Sequence, residues 1–184
     1  ITYTSASMAS YGVIVVGEIN SLGVITFGVP VFYASLVTGE NNTVYDPSQD
    51  KICVVYKNVN DSNRPAMRWM DISGNSITNI SNEFQVATGS ANYLAGAYAN
   101  SGYVIAQYTD SSDSNQGRVK GMKYSNNTTV IQTGLAYLPG HPSQGGSGKH
   151  ARGTKMINCP THNKAISVYN DDSNGGKGTA CAFS

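Results

Sequence analysis

Residues 51–80, KICVVYKNVNDSNRPAMRWMDISGNSITNI, hold the pattern from which the fold of this 184-residue chain can be predicted. An apolar run, 51–56, ends in a tyrosine and is followed by the triplet Asp61-Ser62-Asn63 and by a second run, 65–73. A Gly-Asn pair and a third short run complete the pattern. Short apolar runs separated by Asp, Ser, Asn and Gly are typical of antiparallel strands joined by tight turns.

The same pattern recurs twice towards the carboxyl end of the chain. Asp113-Ser114-Asn115 follows the run YVIAQY (103–108), and Asp172-Ser173-Asn174 follows the run KAISVY (164–169). The tyrosines that end the three runs are Tyr56, Tyr108 and Tyr169, so the intervals are 52 and 61 residues. Recurrence of one pattern at intervals of this size indicates tandem structural repeats.

The amino-terminal segment GVIVVGEINSLGVITFG (12–28) matches the second half of the pattern, about 53 residues before it. The longer last interval is explained by GHPSQGGSGKHARG (140–153), whose composition is typical of an exposed inserted loop. We therefore predict a single repeat domain, residues 1–184. Its units are predicted at 1–42 (partial), 43–91, 92–154 and 155–184 (partial).

Each unit is predicted to contain three or four short strands, and a four-stranded unit of about 50 residues has the size of a propeller blade. Because one such sheet cannot bury both of its faces, neighbouring units must stack on it. We predict an all-β fold, a β-propeller-like array of four-stranded blades, with a β-sandwich or a β-solenoid as alternatives. Sheet edges need partners, so we expect strands near 13–19 and 24–27 to lie beside those near 165–169 and 179–183, within one chain or in a homo-oligomer.

The composition argues against several classes of function. Twelve basic and eleven acidic residues give a net charge near +1, and no run of Lys or Arg is present. The sequence therefore lacks the basic patch that nucleic-acid partners require. No stretch approaches the roughly 20 apolar residues of a membrane span, so none is expected.

The sequence contains no recognisable catalytic or cofactor motif. Its three histidines are His141, His150 and His162, and none belongs to a zinc or nucleophile signature. Gly146-Ser147-Gly148-Lys149-His150 is similar to a phosphate-binding loop but has Ser143 where the first glycine is needed and His150 in place of Ser or Thr. We predict a non-enzymatic protein with no catalytic residues, cofactor or metal.

Three cysteines, Cys53, Cys159 and Cys181, lie in apolar runs. A free cysteine in such a run packs as a small apolar side chain. A Cys159–Cys181 disulfide is the alternative.

The candidate ligand-binding residues are the members of the three triplets and the single tryptophan. They are Asp61, Ser62, Asn63, Trp69, Asp113, Ser114, Asn115, Asp172, Ser173 and Asn174. For the triplets the alternatives are structural turns, contact with a glycan or receptor, and calcium binding through the aspartates. For Trp69 the alternatives are stacking on a sugar ring and packing in the core.

The repeat also resembles a known family. A strand ending in tyrosine, the Asp-Ser-Asn loop, the Ser-Gly-Asn-Ser-Ile-Thr hairpin and the step Ile25-Thr26-Phe27-Gly28 are similar to tandem β-repeats of marine bacteriophage structural and tail-fibre-like proteins. The resemblance covers roughly 12–28, 44–80, 96–134 and 160–184. It implies a propeller-like module on a virion exterior, with a role in host recognition or decoration.

We accordingly expect a virion-surface or extracellular structural protein, of the fibre, spike or decoration type, whose polar loops contact a host surface. The expected partners are other virion or surface proteins and a host-surface glycan. A secreted cellular lectin or adhesin is the alternative, and a glycan-degrading enzyme is a third hypothesis.

Overall fold

The computed structural model describes residues 1–138, 151–172 and 175–183. These residues form antiparallel strands, and the helical turns among them are three 3-10 turns of three residues each. The prediction of an all-β fold is therefore confirmed. In the described part of the chain, no helix is long and apolar enough to cross a membrane.

Strand pairing divides the described residues into four sheets. In chain order the strands are β1 (Thr2–Ser5), β2 (Tyr11–Ile14), β3 (Gly17–Ile19), β4 (Ile25–Phe27), β5 (Val31–Asp46), β6 (Lys51–Asn58), β7 (Arg64–Ser73), β8 (Ser76–Thr78), β9 (Phe84–Gln85), β10 (Ala91–Tyr98), β11 (Tyr103–Asp110), β12 (Gln116–Asn126), β13 (Thr129–Gln132), β14 (Ala136–Tyr137), β15 (Ala151–Cys159), β16 (Lys164–Asp171) and β17 (Lys177–Phe183). The largest sheet has the order β1-β2-β5-β6-β7-β8, with β9 also on β7. The others are β10-β11-β12-β13 with β14 on β12, β15-β16-β17, and the hairpin β3-β4.

The long strand β5 belongs to two layers of the molecule. Its first half pairs with β2, from Val31 to Val37, and its second half pairs with β6, from Thr38 to Asp46. We call β1, β2 and the first half of β5 layer 1, and the second half of β5 with β6–β9 layer 2. The sheet β10–β14 is layer 3, and β15–β17 is layer 4.

Three apolar cores join these four layers face to face. Layers 1 and 2 enclose Ile14, Tyr33, Val54, Tyr56 and Met70; layers 2 and 3 enclose Val55, Met67, Trp69, Val104, Tyr108 and Met122; layers 3 and 4 enclose Ile105, Val119, Leu138, Ala165 and Tyr169. Layers 2 and 3 are thus covered on both faces. This explains why β6 and β11 are buried almost throughout instead of alternating with solvent.

Backbone geometry repeats from layer 2 to layer 3. The Trp69 amide donates to Ser81 Oγ at 2.9 Å, and 52 residues later the Gly121 amide donates to Thr133 Oγ1 at 2.9 Å. The first strand of layers 2, 3 and 4 has a register shift at a residue with positive φ. These residues are Glu40, Tyr93 and Gly153.

Within one chain, the expected pairing of amino- and carboxyl-terminal strands is not observed among the described residues. The strand β2 lies between β1 and β5, β3 pairs only with β4, and β17 pairs only with β16. Of the N-terminal strands, β2 pairs instead with the long strand β5, and β3 and β4 pair with each other. The described sheets do not close into a ring or a barrel, and the fold is an all-β array of antiparallel sheets.

Two other sequence expectations meet the structure near the carboxyl end. Residues 140–150 of the inserted segment lie outside the described residues, whereas Ala151 already begins β15 and is buried. The inserted loop is therefore shorter than 140–153. All three cysteines are free, and Cys159 and Cys181 lie opposite Lys164 and Ser167 of β16, so the disulfide alternative is not observed.

The core between layers 2 and 3 yields a test of stability. Trp69 is 0% exposed, and its ring lies 5.8 Å from that of Phe84. We expect Trp69→Ala to lower the free energy of unfolding by about 3–5 kcal/mol, because it leaves a large cavity. Chemical denaturation measures this. Leu22, 86% exposed, provides the control, and Leu22→Ala should change it by less than about 0.5 kcal/mol. Equal losses in the two variants would contradict the position of this core.

Candidate functional site

The connections between the second and third strands of layers 2, 3 and 4 lie at one end of the sheets. Residues 59–63 join β6 to β7, 111–115 join β11 to β12, and 172–176 join β16 to β17. The Ala91 amide donates to the Asn63 carbonyl at 2.9 Å, so the first of these turns contacts layer 3. The Thr109 hydroxyl likewise donates to the Ala151 carbonyl of layer 4. We call the described residues of these three connections the turn surface.

Each aspartate of the triplets is paired with an arginine. Asp61 accepts from Arg64 at 3.0 Å, Asp113 accepts from Arg118, and Asp172 lies 3.1 Å from Arg152. Because charge-assisted hydrogen bonds fix both partners, these pairs hold the turns in one conformation. The geometry of the triplet aspartates therefore agrees with the structural-turn alternative.

The serine and asparagine of the first two triplets have backbone angles that favour short polar residues. Ser62 and Asn63 have φ of 55° and 60°, and Ser114 and Asn115 have φ of 52° and 58°. Asparagine is one of the few residues that adopt the left-handed region readily. The side chains of Ser62 and Ser114 are exposed and face solvent at the turn surface. Ser173 and Asn174 of the third triplet lie outside the described residues.

Trp69 is not at the turn surface. It lies in the core between layers 2 and 3, where its ring is 5.8 Å from Phe84 and 5.9 Å from Tyr124. A buried indole has no free face for a sugar ring, so Trp69 is not a candidate ligand-binding residue. Its side chain packs in the core instead.

A cleft of about 470 Å³ opens at the turn surface between layers 2 and 3. It is lined by Ser62, Val86, Ala87, Thr88, Gly89, Ser90, Tyr108, Asp110, Ser112, Lys120 and Leu135. We call it the interlayer cleft. Among the described residues that are predicted from sequence to bind a ligand, only Ser62 lines it. The volume lies in the range of small-molecule sites.

Asp110 is the acidic group of the interlayer cleft. Its Oδ1 accepts from the Ser112 amide at 3.1 Å and from the Ser112 hydroxyl at 2.6 Å. Its Oδ2 lies 3.9 Å from Arg118 Nε, and the Arg118 guanidinium stacks 3.9 Å from the centre of the Tyr137 ring. Arg118, which also binds Asp113, therefore fixes two carboxylates at once.

Lys120 and Tyr108 are the other ionisable groups of the cleft. Lys120 Nζ donates to the Val86 carbonyl at 2.9 Å, and burial lowers the pKa of Lys120. Burial and the nearby Asp110 charge raise the pKa of Tyr108 well above its usual value. The Tyr108 hydroxyl is buried and has no hydrogen-bond partner among the described residues. The cleft is thus lined by a side chain, that of Tyr108, whose hydroxyl forms no hydrogen bond with the described residues.

A larger groove, about 510 Å³, lies between layers 3 and 4. Its walls include Ile105, Val119, Ala136 and Phe183, and its lining is more apolar than that of the interlayer cleft. None of the buried polar atoms that lack a partner belongs to its lining residues. For the described residues, the interlayer cleft is therefore the better candidate for specific binding.

Sequence reasoning missed Tyr108, Asp110, Ser112 and Lys120 as site residues. In the sequence, Tyr108 recurs at the same place in three units, which is typical of a packing residue. The residues that surround this tyrosine nonetheless differ between units aligned at the 52-residue interval, and this difference could have indicated a site.

The aspartate–arginine pairs differ in burial, and this difference predicts different effects on stability. The Arg118 side chain is 8% exposed, whereas the Arg64 side chain is 35% exposed. Arg118→Met would leave Asp110 buried without its cation, and we expect a loss of about 3–5 kcal/mol in the free energy of unfolding. Arg64→Met should cost less than about 1 kcal/mol. Urea denaturation of both variants checks this, and equal losses would contradict the burial of the Arg118 cluster.

The calcium alternative can be tested directly. No group of three or more His, Cys, Asp or Glu in the described ranges is placed to hold a metal ion, and the triplet aspartates face arginines. We expect the melting temperature to be the same in calcium and in EDTA. A calcium-dependent rise that Asp113→Asn abolishes would show that the turn binds the ion.

Comparison with known proteins assigns this chain to no family. The chain matches no model of a protein family, and no curated protein matches its sequence. The polar groups of the turn surface and of the interlayer cleft are therefore the observations from which a function can be inferred.

Proposed function

We propose that the protein is a non-enzymatic, virion-surface or extracellular recognition protein whose turn surface contacts a host surface. The observation that carries the proposal is the alignment of polar turns from successive layers at one end of the sheets. Ser62 and Ser114 are exposed there, while the aspartate of each described turn is tied to an arginine. The resemblance of the repeats to marine phage tail-fibre-like proteins supports a virion setting.

Rigid presentation of polar groups favours binding. Loops on a rigid scaffold lose little conformational freedom when a partner binds, so more of the contact energy appears as affinity. Here the turns of layers 2 and 3 leave strands that are buried on both faces, and side-chain ion pairs fix their conformation. These two turns therefore need no ordering before contact.

The charge balance favours neutral polar partners. Twelve basic and eleven acidic residues leave almost no net field, and the turn aspartates are neutralised locally. Hydroxyl and amide groups then remain as the contact groups of the turns. A glycan of a host surface is the partner whose chemistry fits them. Repetition of the turns, and of the protein on a particle, would raise avidity without new contacts.

We further propose that successive layers are related as in a propeller. The first strands of layers 2, 3 and 4 lie together, and residues of all three, such as Thr43, Ala97 and Ile157, line one cavity of about 310 Å³. The fourth strand of layers 2 and 3 is in both cases split into two short pieces on the far side, β8 with β9 and β13 with β14. First strands gathered at the centre and fourth strands outside are the arrangement of propeller blades.

Binding to intact cells tests the proposed function. We expect fluorescently labelled protein to bind at least one strain in a panel of marine bacteria. The double variant Ser62→Lys, Ser114→Lys should bind about tenfold more weakly, because it places two bulky cations on the turn surface. Ser76→Lys, an exposed position at the opposite end of layer 2, is the matched control.

All three proteins should have the same melting temperature, since the positions are exposed. Equal weakening by Ser76→Lys and by the double variant would contradict a role for the turn surface. The absence of binding to every strain would contradict host-surface recognition.

A further inference from the structure

Layer 2 contains a closed polar network at its tyrosine, Tyr56. The Tyr56 hydroxyl donates to the Glu83 carboxylate. Asn58 Nδ2 donates to the two oxygens of the same carboxylate at 3.0 and 3.2 Å. Arg68 Nε donates to the Tyr56 oxygen at 3.3 Å. The carboxylate of Glu83 is therefore the group that satisfies the buried tyrosine and its neighbouring amide.

In layer 3 the four corresponding positions, 52 residues later, hold a different set of side chains. Tyr56, Asn58, Arg68 and Glu83 are replaced in order by Tyr108, Asp110, Lys120 and Leu135. The backbone is unchanged, because Val86 donates to the Pro65 carbonyl at 2.9 Å and Leu138 donates to the Gly117 carbonyl at 3.0 Å. The two networks therefore differ in side chains and not in register.

Leu135 cannot do what Glu83 does. It has no polar atom and is 47% exposed at the mouth of the interlayer cleft. The Tyr108 hydroxyl is consequently left without a partner, although its side chain is fully buried. Leaving a buried hydroxyl unpaired is unfavourable, so a group that fills this place would be stabilised. The interlayer cleft occupies this place.

A group that binds in the place corresponding to Glu83 must form hydrogen bonds with both Tyr108 and Asp110. A tyrosine hydroxyl can donate and accept, whereas an ionised aspartate can only accept. A carboxylate like that of Glu83 would be repelled here, because Asp110 stands where Asn58 donated. A hydroxyl can donate to Asp110 and accept from Tyr108 at the same time. The two residues lie near one another, because both line the interlayer cleft.

The remaining walls suit a ligand with several hydroxyls. A Cβ on Gly89 would clash with Ser112 Oγ and would lie 2.7 Å from Asp110 Oδ1, so a larger residue there would displace the side chains of the cleft. Ser62 adds a hydroxyl at the rim. Lys120 Nζ, which donates to the Val86 carbonyl, retains further protons for ligand oxygens.

We propose that the interlayer cleft binds a neutral sugar, with one sugar hydroxyl between the Tyr108 oxygen and the Asp110 carboxylate, in the place that Glu83 fills in layer 2. This inference rests on the proposed recognition function and names the ligand class of that surface. Ser62, which belongs both to the turn surface and to the cleft, connects the two.

Two matched tyrosine variants test the site. Tyr108→Phe removes the unpartnered hydroxyl, so binding of neutral sugars should weaken by about tenfold while the melting temperature is unchanged or higher. Tyr56→Phe removes the partner of Glu83, so it should lower the melting temperature and leave sugar binding unchanged. Saturation-transfer NMR and titration with glucose, galactose, mannose and their short neutral oligomers measure binding.

Leu135→Gln provides a second test that leaves Tyr108 and Asp110 in place. The glutamine amide can donate to Asp110 and its oxygen can accept from Tyr108, which reverses the acid–amide arrangement of Asn58 and Glu83. We expect this variant to keep or raise the melting temperature and to weaken sugar binding by about tenfold or more, because the side chain occupies the cleft. Leu22→Gln, at an exposed position that does not line the cleft, should retain binding.

Three results would overturn the proposal: no neutral sugar binds the wild-type protein at millimolar concentration, only acidic sugars bind, or Tyr108→Phe binds as the wild type does. Cell binding distinguishes this failure from failure of the proposed function. If Ser114→Lys, outside the cleft, weakens cell binding while neutral sugars do not bind, the recognition surface stands and the ligand class is wrong. Loss of neither activity in any variant would contradict both.

Discussion

An antiparallel sheet that is apolar on both faces must be covered on both sides, and in this protein the cover for each inner sheet is the next layer. Layer 2 packs on layer 1 through Tyr33 and Tyr56, and on layer 3 through Trp69 and Tyr108. Burial of this apolar surface is the main stabilising contribution, at roughly 25 cal/mol for each Å² removed from water. The stacking leaves the ends of the sheets, and therefore the turns, as the polar surface that projects to solvent.

The turns inherit their rigidity from this stacking. Their flanking strands cannot move without opening a core, and the Arg118 cluster anchors the turn of layer 3 from a buried position. The interlayer cleft forms where two layers meet at the turn surface. At Gly89 the backbone lies close to Asp110. Leu135 does not fill the place that Glu83 fills in layer 2. Recognition is thus proposed at the boundary between repeats, where small differences between repeats change the chemistry without changing the fold.

Much of the fold could be predicted from the sequence, because strands and turns are local. The runs 51–56, 103–108 and 164–169 fall within β6, β11 and β16. The 52-residue interval corresponds to repeated hydrogen bonds such as those of Ser81 and Thr133. The long strand β5 could not be predicted in this way, because two pairing partners share it and no turn residue marks where one layer passes into the next. The same sharing explains why the N-terminal strands do not lie beside β16 and β17.

The candidate site was only partly predictable. The triplets were identified from their composition, but their arginine partners come from three different places, positions 64, 118 and 152, and follow no common spacing. Trp69 could be read equally as a surface or a core residue, since β7 is buried on both faces. Tyr108 is hard to identify from sequence as a site residue, because the change that leaves its hydroxyl unpaired, from Glu83 to Leu135, is far from it along the chain. The two residues come close only through the pairing of β12 with its outer strands.

NMR titration of the isotope-labelled protein with a neutral oligosaccharide tests the central claim most directly, because it locates binding without presupposing the site. The account predicts that the amide shifts that change are confined to residues 86–90 and 110–115, where the turn surface meets the interlayer cleft. Shifts that cluster instead at the opposite end of the sheets, around 74–76 and 127–129, would contradict it.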